Sequence, residues 1–213
     1  MTEPYRTVAG RGEARFEVRG SEFLGHVTPA EDVEAAEAFV ASVRDEYDDA
    51  THNVPAYRVP AGPPSERRAP GEVMLREYSS DDGEPSGSAG KPALNVLVQR
   101  DLRNVVAVVT RYYGGTNLGV GGLARAYSRA IKDAVDAAGV VEETPRARFT
   151  ARVEYDDSGT VRGVLESLAD EGVEFEADYG EDVSFAVRAP VDDAAALKDR
   201  LRSATSGRVE LSR

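Results

Sequence analysis

The sequence predicts an α/β protein of two domains, with the boundary near residue 145. A β-branched run at Val105–Val109 is typical of a central strand, and apolar residues three and four apart predict amphipathic helices on both sides of it. After the boundary, the predicted elements follow the order β-α-β-β-α-β, which is the ferredoxin-like arrangement. We therefore expect an N-terminal domain over residues 1–143 and a ferredoxin-like domain over residues 147–213.

The N-terminal domain begins with two short predicted strands over residues 13–28, which meet at Gly20. Thr28-Pro29 then opens a helix to about Tyr47, because the apolar positions that follow lie on one helical face. Proline and glycine make Pro60–Gly71 a predicted loop. Four further elements complete the domain: a strand at Thr51–Val59, a short helix at Ala93–Gln99, a strand at Asn104–Tyr112 and a long helix at Gly121–Ala138.

The C-terminal domain follows a predicted linker at Glu142–Arg146. Its elements are separated by turn signals such as Gly172 and Gly180. In order they are a strand at Phe149–Tyr155, a helix at Ser158–Glu171, strands at Val173–Tyr179 and Asp182–Ala189, a helix at Asp192–Thr205 and a strand at Arg208–Leu211.

The composition excludes several classes of function. The chain has no cysteine, which rules out disulfides, thiolate metal sites and a cysteine nucleophile, and fits a reducing cytoplasm. It has no apolar run of about 18 residues, so we expect no membrane contact through a spanning helix. Met1–Arg19 lacks the apolar centre of a signal peptide. We therefore expect a cytoplasmic protein.

The charge pattern suggests a cytoplasm of very high salt. The formal net charge is −12, and arginine supplies nearly all the positive charge, since there are only three lysines. At roughly 1 M salt the Debye length is about 3 Å, so a local arginine cluster decides anion binding more than the global charge does. Full folding and solubility without salt would count against this hypothesis.

The first candidate site is the acidic, glycine-containing segment Ser79–Lys91. Its carboxylates, Asp81, Asp82 and Glu84, can hold Mg²⁺ or orient a basic partner. Alternatively, they satisfy the backbone donors of a tight turn, and this is the interpretation that we favour.

The end of this segment is similar to half of a phosphate-binding loop, since Gly90 is followed by Lys91. The first glycine of such a loop is replaced by Pro85, however, and Pro92 stands where a serine or threonine should bind Mg²⁺. A nucleoside triphosphatase is therefore not expected, while Lys91 remains a candidate contact for a ligand.

The second candidate site, Arg111–Ser128, leads from the central strand into the long helix. It contains Asn117 and five glycines within nine residues: Gly114, Gly115, Gly119, Gly121 and Gly122. Glycines let backbone N–H groups approach a ligand, and a helix N-terminus adds partial positive charge. One turn does not need five glycines. Ligand binding is therefore favoured over a purely geometric role for these residues.

The charged and aromatic residues of this segment support the same interpretation. Arg111 and Arg125 can grip a phosphate or carboxylate, and Tyr112 or Tyr113 can stack on a base. Between Ser79 and Ser128, five bases face four acids, so this region is spared the acid excess of the chain. The interpretation requires Arg111 and open backbone donors to face solvent.

Two weaker patterns remain. Gly119, Gly121 and Ala124 fit a dinucleotide fingerprint, but only one parallel βαβ unit is predicted here, whereas the fingerprint belongs to a repeated series. His52 can act as a general base or a ligand contact, although a structural hydrogen bond is the more common role. His26 is the only other histidine, and its spacing supports no metal site.

These motifs resemble those of the IMPACT family of translation-linked proteins. The resemblance covers about residues 21–130 and departs from the family at Ser88, where threonine is usual, and at a proline-rich insert, Pro60–Pro70. It rests on five segments: Ser21–Gly25, Ala50–Asn53, Ala56–Arg58, Asp81–Pro92 and Arg111–Tyr127.

The resemblance implies an N-terminal two-layer domain like the second domain of a small-subunit ribosomal protein. It implies a C-terminal domain similar to a ferredoxin-like domain of elongation factor G. Both folds point toward RNA or ribosomes, although a fold alone is weak support for a function. Eukaryotic members bind a partner that controls a kinase of translation initiation. No catalytic activity, cofactor or metal comes with the family.

Three hypotheses follow, in decreasing order of preference. The first is a non-enzymatic protein that binds RNA or the ribosome and regulates translation. The second is a protein-interaction module that uses the same face without nucleic acid. The third is an enzyme acting on a phosphorylated small molecule, which a thermal-shift screen with nucleotides and phosphometabolites would detect.

Overall fold

The computed structural model describes residues 4–61 and 74–212. The predicted loop Pro60–Gly71 lies outside the described residues from residue 62 onward. The chain divides into two compact units, and the division in sequence falls between Glu143 and Thr144. Within the described residues, no helix is long and apolar enough to cross a membrane.

In residues 5–61 and 74–143, the described part of the N-terminal unit contains seven strands and three helices. The strands are β1 (Tyr5–Val8), β2 (Gly12–Val18), β3 (Ser21–Pro29), β4 (His52–Pro60), β5 (Leu75–Ser79), β6 (Val105–Tyr112) and β7 (Val140–Glu143). The helices are α1 (Val33–Glu46), α2 (Gly90–Gln99) and α3 (Gly119–Ala138). Five strands form an antiparallel sheet in the order β2-β3-β6-β4-β5, while β1 pairs with β7.

The two central strands of this sheet are apolar on both faces, and this sets the layers of the unit. Alternate residues of β4 and β6, such as Val54 and Val109, pack against α2 and α3, while Tyr57 and Val108 pack against α1. The predicted α/β class is confirmed. Helix α1 adds a third layer to the two that were expected, because the second apolar face also has to be covered.

Helix α3 lies unusually close to the sheet. A side chain at Gly12 or Gly25 would overlap the backbone of α3, at the carbonyl oxygens of Ala134 and Ala130 respectively. These strand glycines therefore permit close packing between the helix and the sheet. As a result, the C-terminal half of α3 has a defined position over β2 and β3.

The pairing of β1 with β7 corrects the predicted linker at Glu142–Arg146. Tyr5 lies opposite Glu143 in an antiparallel ladder, so the chain remains structured almost to the boundary. The ladder escaped sequence analysis because each strand has only four residues and gains its hydrogen bonds from a segment far away in the sequence.

The C-terminal unit is ferredoxin-like, as predicted. Its elements are β8 (Arg146–Val153), α4 (Tyr155–Glu166), β9 (Glu174–Tyr179), β10 (Val183–Pro190), α5 (Ala194–Ala204) and β11 (Glu210–Ser212). The sheet has the antiparallel order β11-β8-β10-β9, with α4 and α5 packed on the core side around Phe149 and Phe185. The predicted helix Ser158–Glu171 is in fact α4 followed by a separate 3-10 turn at Ala169–Glu171.

Candidate functional site

The segment Asp81–Gly90, which we call the acidic turn, joins β5 to α2. The Asp81 carboxylate accepts backbone hydrogen bonds from Gly87 at 2.7 Å, Ala89 at 3.0 Å and Gly90 at 2.9 Å. Burial raises the pKa of this carboxyl, but the three N–H donors outweigh burial and hold the pKa below its usual value. Asp81 therefore caps the start of α2 from within the turn.

Asp82 ties the acidic turn to the sheet and to α1. One carboxylate oxygen accepts the backbone N–H of Asn53 at 2.7 Å, and the other accepts the Arg44 guanidinium at 2.9 Å. Its carbonyl oxygen lies 2.6 Å from Nδ1 of His52. Asp82 is thus engaged on three sides by protein donors, as the favoured interpretation of a structural turn predicts.

Glu84 is buried and forms an ion pair with Arg111, which is itself only 3% exposed. The hydroxyl of Tyr127 donates to the same Glu84 oxygen at 2.7 Å. Burial, together with this hydrogen bond, raises the pKa of Tyr127 well above its usual value, so the hydroxyl stays protonated. The carboxylate therefore has two internal donors.

Arg111 is held by several contacts, although its buried Nε has no hydrogen-bond partner among the described residues. Its guanidinium donates to Ser21 Oγ at 3.2 Å and lies between the rings of Phe23 and Tyr113, at 5.4 Å and 5.3 Å from their centroids. The prediction that Arg111 faces solvent is wrong. A cation on a central strand next to a buried carboxylate is neutralised inside the protein. Arg111 therefore does not serve as a direct contact for phosphate.

His52 joins the same cluster and is half-buried. Since a carbonyl oxygen only accepts, Nδ1 of His52 carries the proton in its bond to Asp82. The other ring nitrogen, Nε2, lies 3.8 Å from the Glu84 carboxylate. His52 and the three acids of the turn therefore converge in space, but mainly on one another and on protein donors.

The segment Tyr113–Gly122, which we call the glycine loop, joins β6 to α3, and its first half is packed against the β2–β3 turn. A Cβ atom at Gly114 or Gly115 would overlap the carbonyl oxygens of Gly20 and Arg19 respectively. Ser21 Oγ donates to the Gly114 carbonyl at 3.1 Å. For Gly114 and Gly115 the geometric role is therefore sufficient to explain the residue type.

The second half of the glycine loop is open. A Cβ atom at Gly119 would meet nothing within 4 Å, although its φ of +68° favours glycine, and one at Gly121 would meet only Arg125 Nη1 at 3.5 Å. Gly122 fits closely over Leu118. Leu118 precedes α3 and provides no side-chain cap, so the first turn of the helix is exposed and uncapped.

Two exposed cations lie where α2 and α3 meet. Lys91 and Arg125 form no ion pair or hydrogen bond within the described parts of the chain. Ser128 Oγ donates to the Pro92 carbonyl at 3.3 Å, which joins the start of α2 to the third turn of α3. Because Lys91 adjoins Pro92 and Arg125 lies one turn before Ser128, both cations border the same junction.

The aromatic ring available at this site belongs to Tyr113, which is 52% exposed. The hydroxyl of Tyr112 donates instead to Asp49 at 2.6 Å. This hydrogen bond, with burial, raises the pKa of Tyr112 to about 12. Tyr112 is thus held in place, while Tyr113 and Asn117 lie on the exposed part of the glycine loop.

Comparison with known proteins identifies the family. A model of the Impact N-terminal domain matches residues 19–135, which include both the acidic turn and the glycine loop. The chain belongs to the IMPACT family. A second model, described as a domain of unknown function, DUF1949, matches residues 152–208 in the ferredoxin-like unit.

Relatives of this IMPACT family chain match it over nearly its full length. IMPACT family member YvyE of Bacillus subtilis is 31% identical over 211 residues, covering 99% of this chain and 91% of the relative. IMPACT family member YigZ of Escherichia coli is 34% identical over 195 residues, covering 92% and 90%. A solved structure described as a hypothetical protein superposes with a TM-score of 0.66 at 32% identity, covering 100% of this chain and 98% of the other.

Sequence analysis did not select four residues that contact the predicted site residues: Ser21, Arg44, Asn53 and Tyr127. The ring of Tyr127 packs in the core, where its hydroxyl also reaches Glu84. The helical period places the ring of such a residue in the core but carries no information about the partner of its hydroxyl.

Proposed function

We propose that this IMPACT family protein is a non-enzymatic binding protein that associates with RNA, most directly the ribosome, in the cytoplasm and regulates translation. The observation that carries the proposal is the junction of α2 and α3. There, Lys91 and Arg125 are exposed and have no ion-pair or hydrogen-bond partner among the described residues, and Arg125 follows the uncapped first turn of α3.

The charge of this junction suits phosphate. Although the chain has a net charge of −12, each of these two bases is free of an acidic partner among the described residues and can neutralise a phosphate oxygen. The open N–H groups in the first turn of α3 add donors of the kind that bind anions. Gly121 supports the same contact, because its missing side chain leaves space for the close approach of a backbone phosphate.

Tyr113 and Asn117 provide groups that can contact bases. The Tyr113 ring is exposed on one side and supported on the other by Arg111, so a base can stack on it at little entropic cost. In this proposal the acidic turn binds no metal. It holds Arg111 and the start of α2 in place, and thereby positions the ring and Lys91.

A protein partner is the second candidate, and one observation favours it. Val120, in the first turn of α3, is 58% exposed. Together with the Tyr113 ring it gives the glycine loop an apolar component that RNA does not require. The experiment below therefore separates the two partners.

Ribosome co-sedimentation tests the proposal, in a salt concentration at which the protein is folded. We expect the wild-type chain to sediment with ribosomes and to be released by nuclease. The double variant Lys91→Glu/Arg125→Glu should bind about tenfold or more weakly, because two phosphate contacts become repulsive. Lys132→Glu is the matched control, since Lys132 is an exposed and unpaired base farther along α3 within the described residues.

Two outcomes would overturn the proposal. One is a wild-type chain that does not sediment with ribosomes. The other is equal sedimentation of the double variant and the Lys132→Glu control. Association that survives nuclease and is lost in the double variant would instead assign the surface to a protein partner.

A further inference from the structure

The C-terminal unit presents two exposed tyrosine rings side by side. Tyr155, at the start of α4, and Tyr179, at the end of β9, are 53% and 54% exposed. Their ring centroids are 6.4 Å apart, and the ring planes are inclined by 38°. Among the described residues these are the two most exposed tyrosines, and they lie in contact with each other, which forms a continuous aromatic surface.

Both tyrosine hydroxyls are engaged inside the unit. Tyr155 donates to the Gly180 carbonyl at 2.9 Å, and Arg162 donates to the Tyr179 hydroxyl at 2.6 Å. The Arg162 guanidinium in turn packs over the ring of Phe175, 5.5 Å from its centroid. The rings are therefore held in fixed orientations, and their exposed faces are the parts left for a partner. A partner that contacts them meets a surface with little side-chain entropy to lose.

The charge around the two rings indicates the charge of the partner that would bind there. Seven carboxylates lie within three residues of one ring or the other in the sequence, and one of them, Asp157, pairs with Arg208. The side chains of the other six form no ion pair or hydrogen bond in the described part of the chain: Glu154, Asp156, Glu176, Asp178, Glu181 and Asp182. Aromatic faces carry partial negative charge, so both the ring faces and the neighbouring carboxylates attract cations.

We propose that the surface formed by Tyr155 and Tyr179 docks a basic polypeptide segment. Arginine or lysine side chains of the segment lie on the ring faces as cation–π contacts, and the neighbouring carboxylates pair with the remaining cations. Nucleic acid bases also stack on tyrosine, but a phosphate backbone would be repelled by the unpaired carboxylates. The cation–π contacts are short in range, so they persist in salt that screens the longer-range attraction.

This surface belongs to a different unit from the glycine loop. Its partner is accordingly independent of the proposed association with RNA. Loss of ribosome binding in Lys91→Glu/Arg125→Glu would leave peptide binding at the tyrosines unchanged, so the two proposals fail separately.

Peptide binding to the full-length protein tests the proposal. Fluorescence anisotropy would follow a labelled oligo-arginine peptide, with a neutral glycine-serine peptide as the specificity control and oligouridine as the competitor. We expect Tyr155→Ala/Tyr179→Ala to weaken oligo-arginine binding roughly tenfold, through the loss of two exposed cation–π contacts. Tyr155→Phe/Tyr179→Phe keeps the rings and should retain most of the affinity.

Charge variants provide a second, independent readout. Asp178→Asn/Glu181→Gln should weaken oligo-arginine binding, whereas Asp45→Asn/Asp48→Asn, an equal charge change at exposed carboxylates of the N-terminal unit, should not. The proposal is overturned if wild-type protein does not bind oligo-arginine, or if the tyrosine-to-alanine variant binds it as well as wild type. It is also overturned if that variant loses oligouridine binding and keeps the peptide, which would make the rings a platform for bases.

Discussion

The acidic turn and the glycine loop have similar roles in the chain but opposite relations to solvent. Each contains glycines, and each leads directly into a helix of the same layer. At the start of α2 the acidic turn supplies its own cap, because Asp81 accepts three backbone N–H groups. At the start of α3 the glycine loop supplies no side-chain cap, and Gly119–Gly121 are exposed.

The difference shows when a polar segment stabilises the fold and when it remains open to a partner. In the acidic turn, Asp81 accepts donors from the turn itself, while Asp82 and Glu84 accept donors from the sheet and helices of the N-terminal unit, so their charge is used to hold the fold together. In the glycine loop, no side chain caps the start of α3 among the described residues, and the backbone donors of its first turn remain open. The more highly charged segment is therefore the less available for a partner.

Among the variants that test this comparison, Arg111→Ala is expected to lower the free energy of unfolding the most. The change leaves the Glu84 carboxylate buried without its cation, which typically costs about 3–5 kcal/mol. Denaturant unfolding at matched salt measures the loss. Arg125→Ala, at the exposed arginine, should change the free energy of unfolding by less than about 0.5 kcal/mol. Equal losses in the two variants would show that Arg111 is not structural.

Gly115→Ala tests whether the first half of the glycine loop is structural. Its φ is +63°, and the added Cβ would overlap the Arg19 carbonyl. We expect a loss of about 1–3 kcal/mol from backbone strain, read from the same unfolding curves. A variant as stable as wild type would mean that the loop can shift away from the β2–β3 turn.

Asp81→Asn should weaken the cap of α2 at neutral pH. Replacing charge-assisted hydrogen bonds with neutral ones should cost about 1–2 kcal/mol of unfolding free energy. Since the pKa of Asp81 is depressed in the folded chain, its contribution is present above the unfolded-state pKa. It is lost as the pH falls through the lower folded-state pKa.

The stability difference between wild type and Asp81→Asn should therefore be constant above about pH 5 and disappear at strongly acidic pH. Thermal unfolding across this pH range measures it. A difference that grows as the pH falls would contradict the depressed pKa and the capping role.

The smallest effect is expected from Gly121→Ala, and its sign is opposite. A Cβ here meets only the flexible Arg125 guanidinium, and alanine favours a helix over glycine by about 0.5–1 kcal/mol. We expect a slightly more stable protein that sediments less well with ribosomes. Unchanged sedimentation would indicate that the partner does not approach the first turn of α3.

Sequence periodicity predicted the three helices of the N-terminal unit and four of the five strands of its main sheet. It missed the edge strand β5, whose side chains are mostly exposed. It also missed β1 and β7, whose four residues each are too few for an alternation to be recognised. In the site, the acidic turn was interpreted correctly as structural, since an aspartate before glycines is a local signal. Arg111 was misplaced because an arginine at the end of an apolar strand is compatible with either burial or exposure until its partner is known.

By itself, the sequence determined the α/β class, the ferredoxin-like order of the second unit and the family, because strand alternation, helical spacing and motif order are properties of neighbouring residues. Only the tertiary structure decided which charges are internal. Glu84, Arg111 and Tyr127 are separated along the chain. Because β6, α3 and the acidic turn meet in one core, Glu84 and Arg111 neutralise each other and the Tyr127 hydroxyl donates to the same carboxylate. The same packing leaves Lys91, Arg125 and the first turn of α3 at the surface, where a partner can reach them.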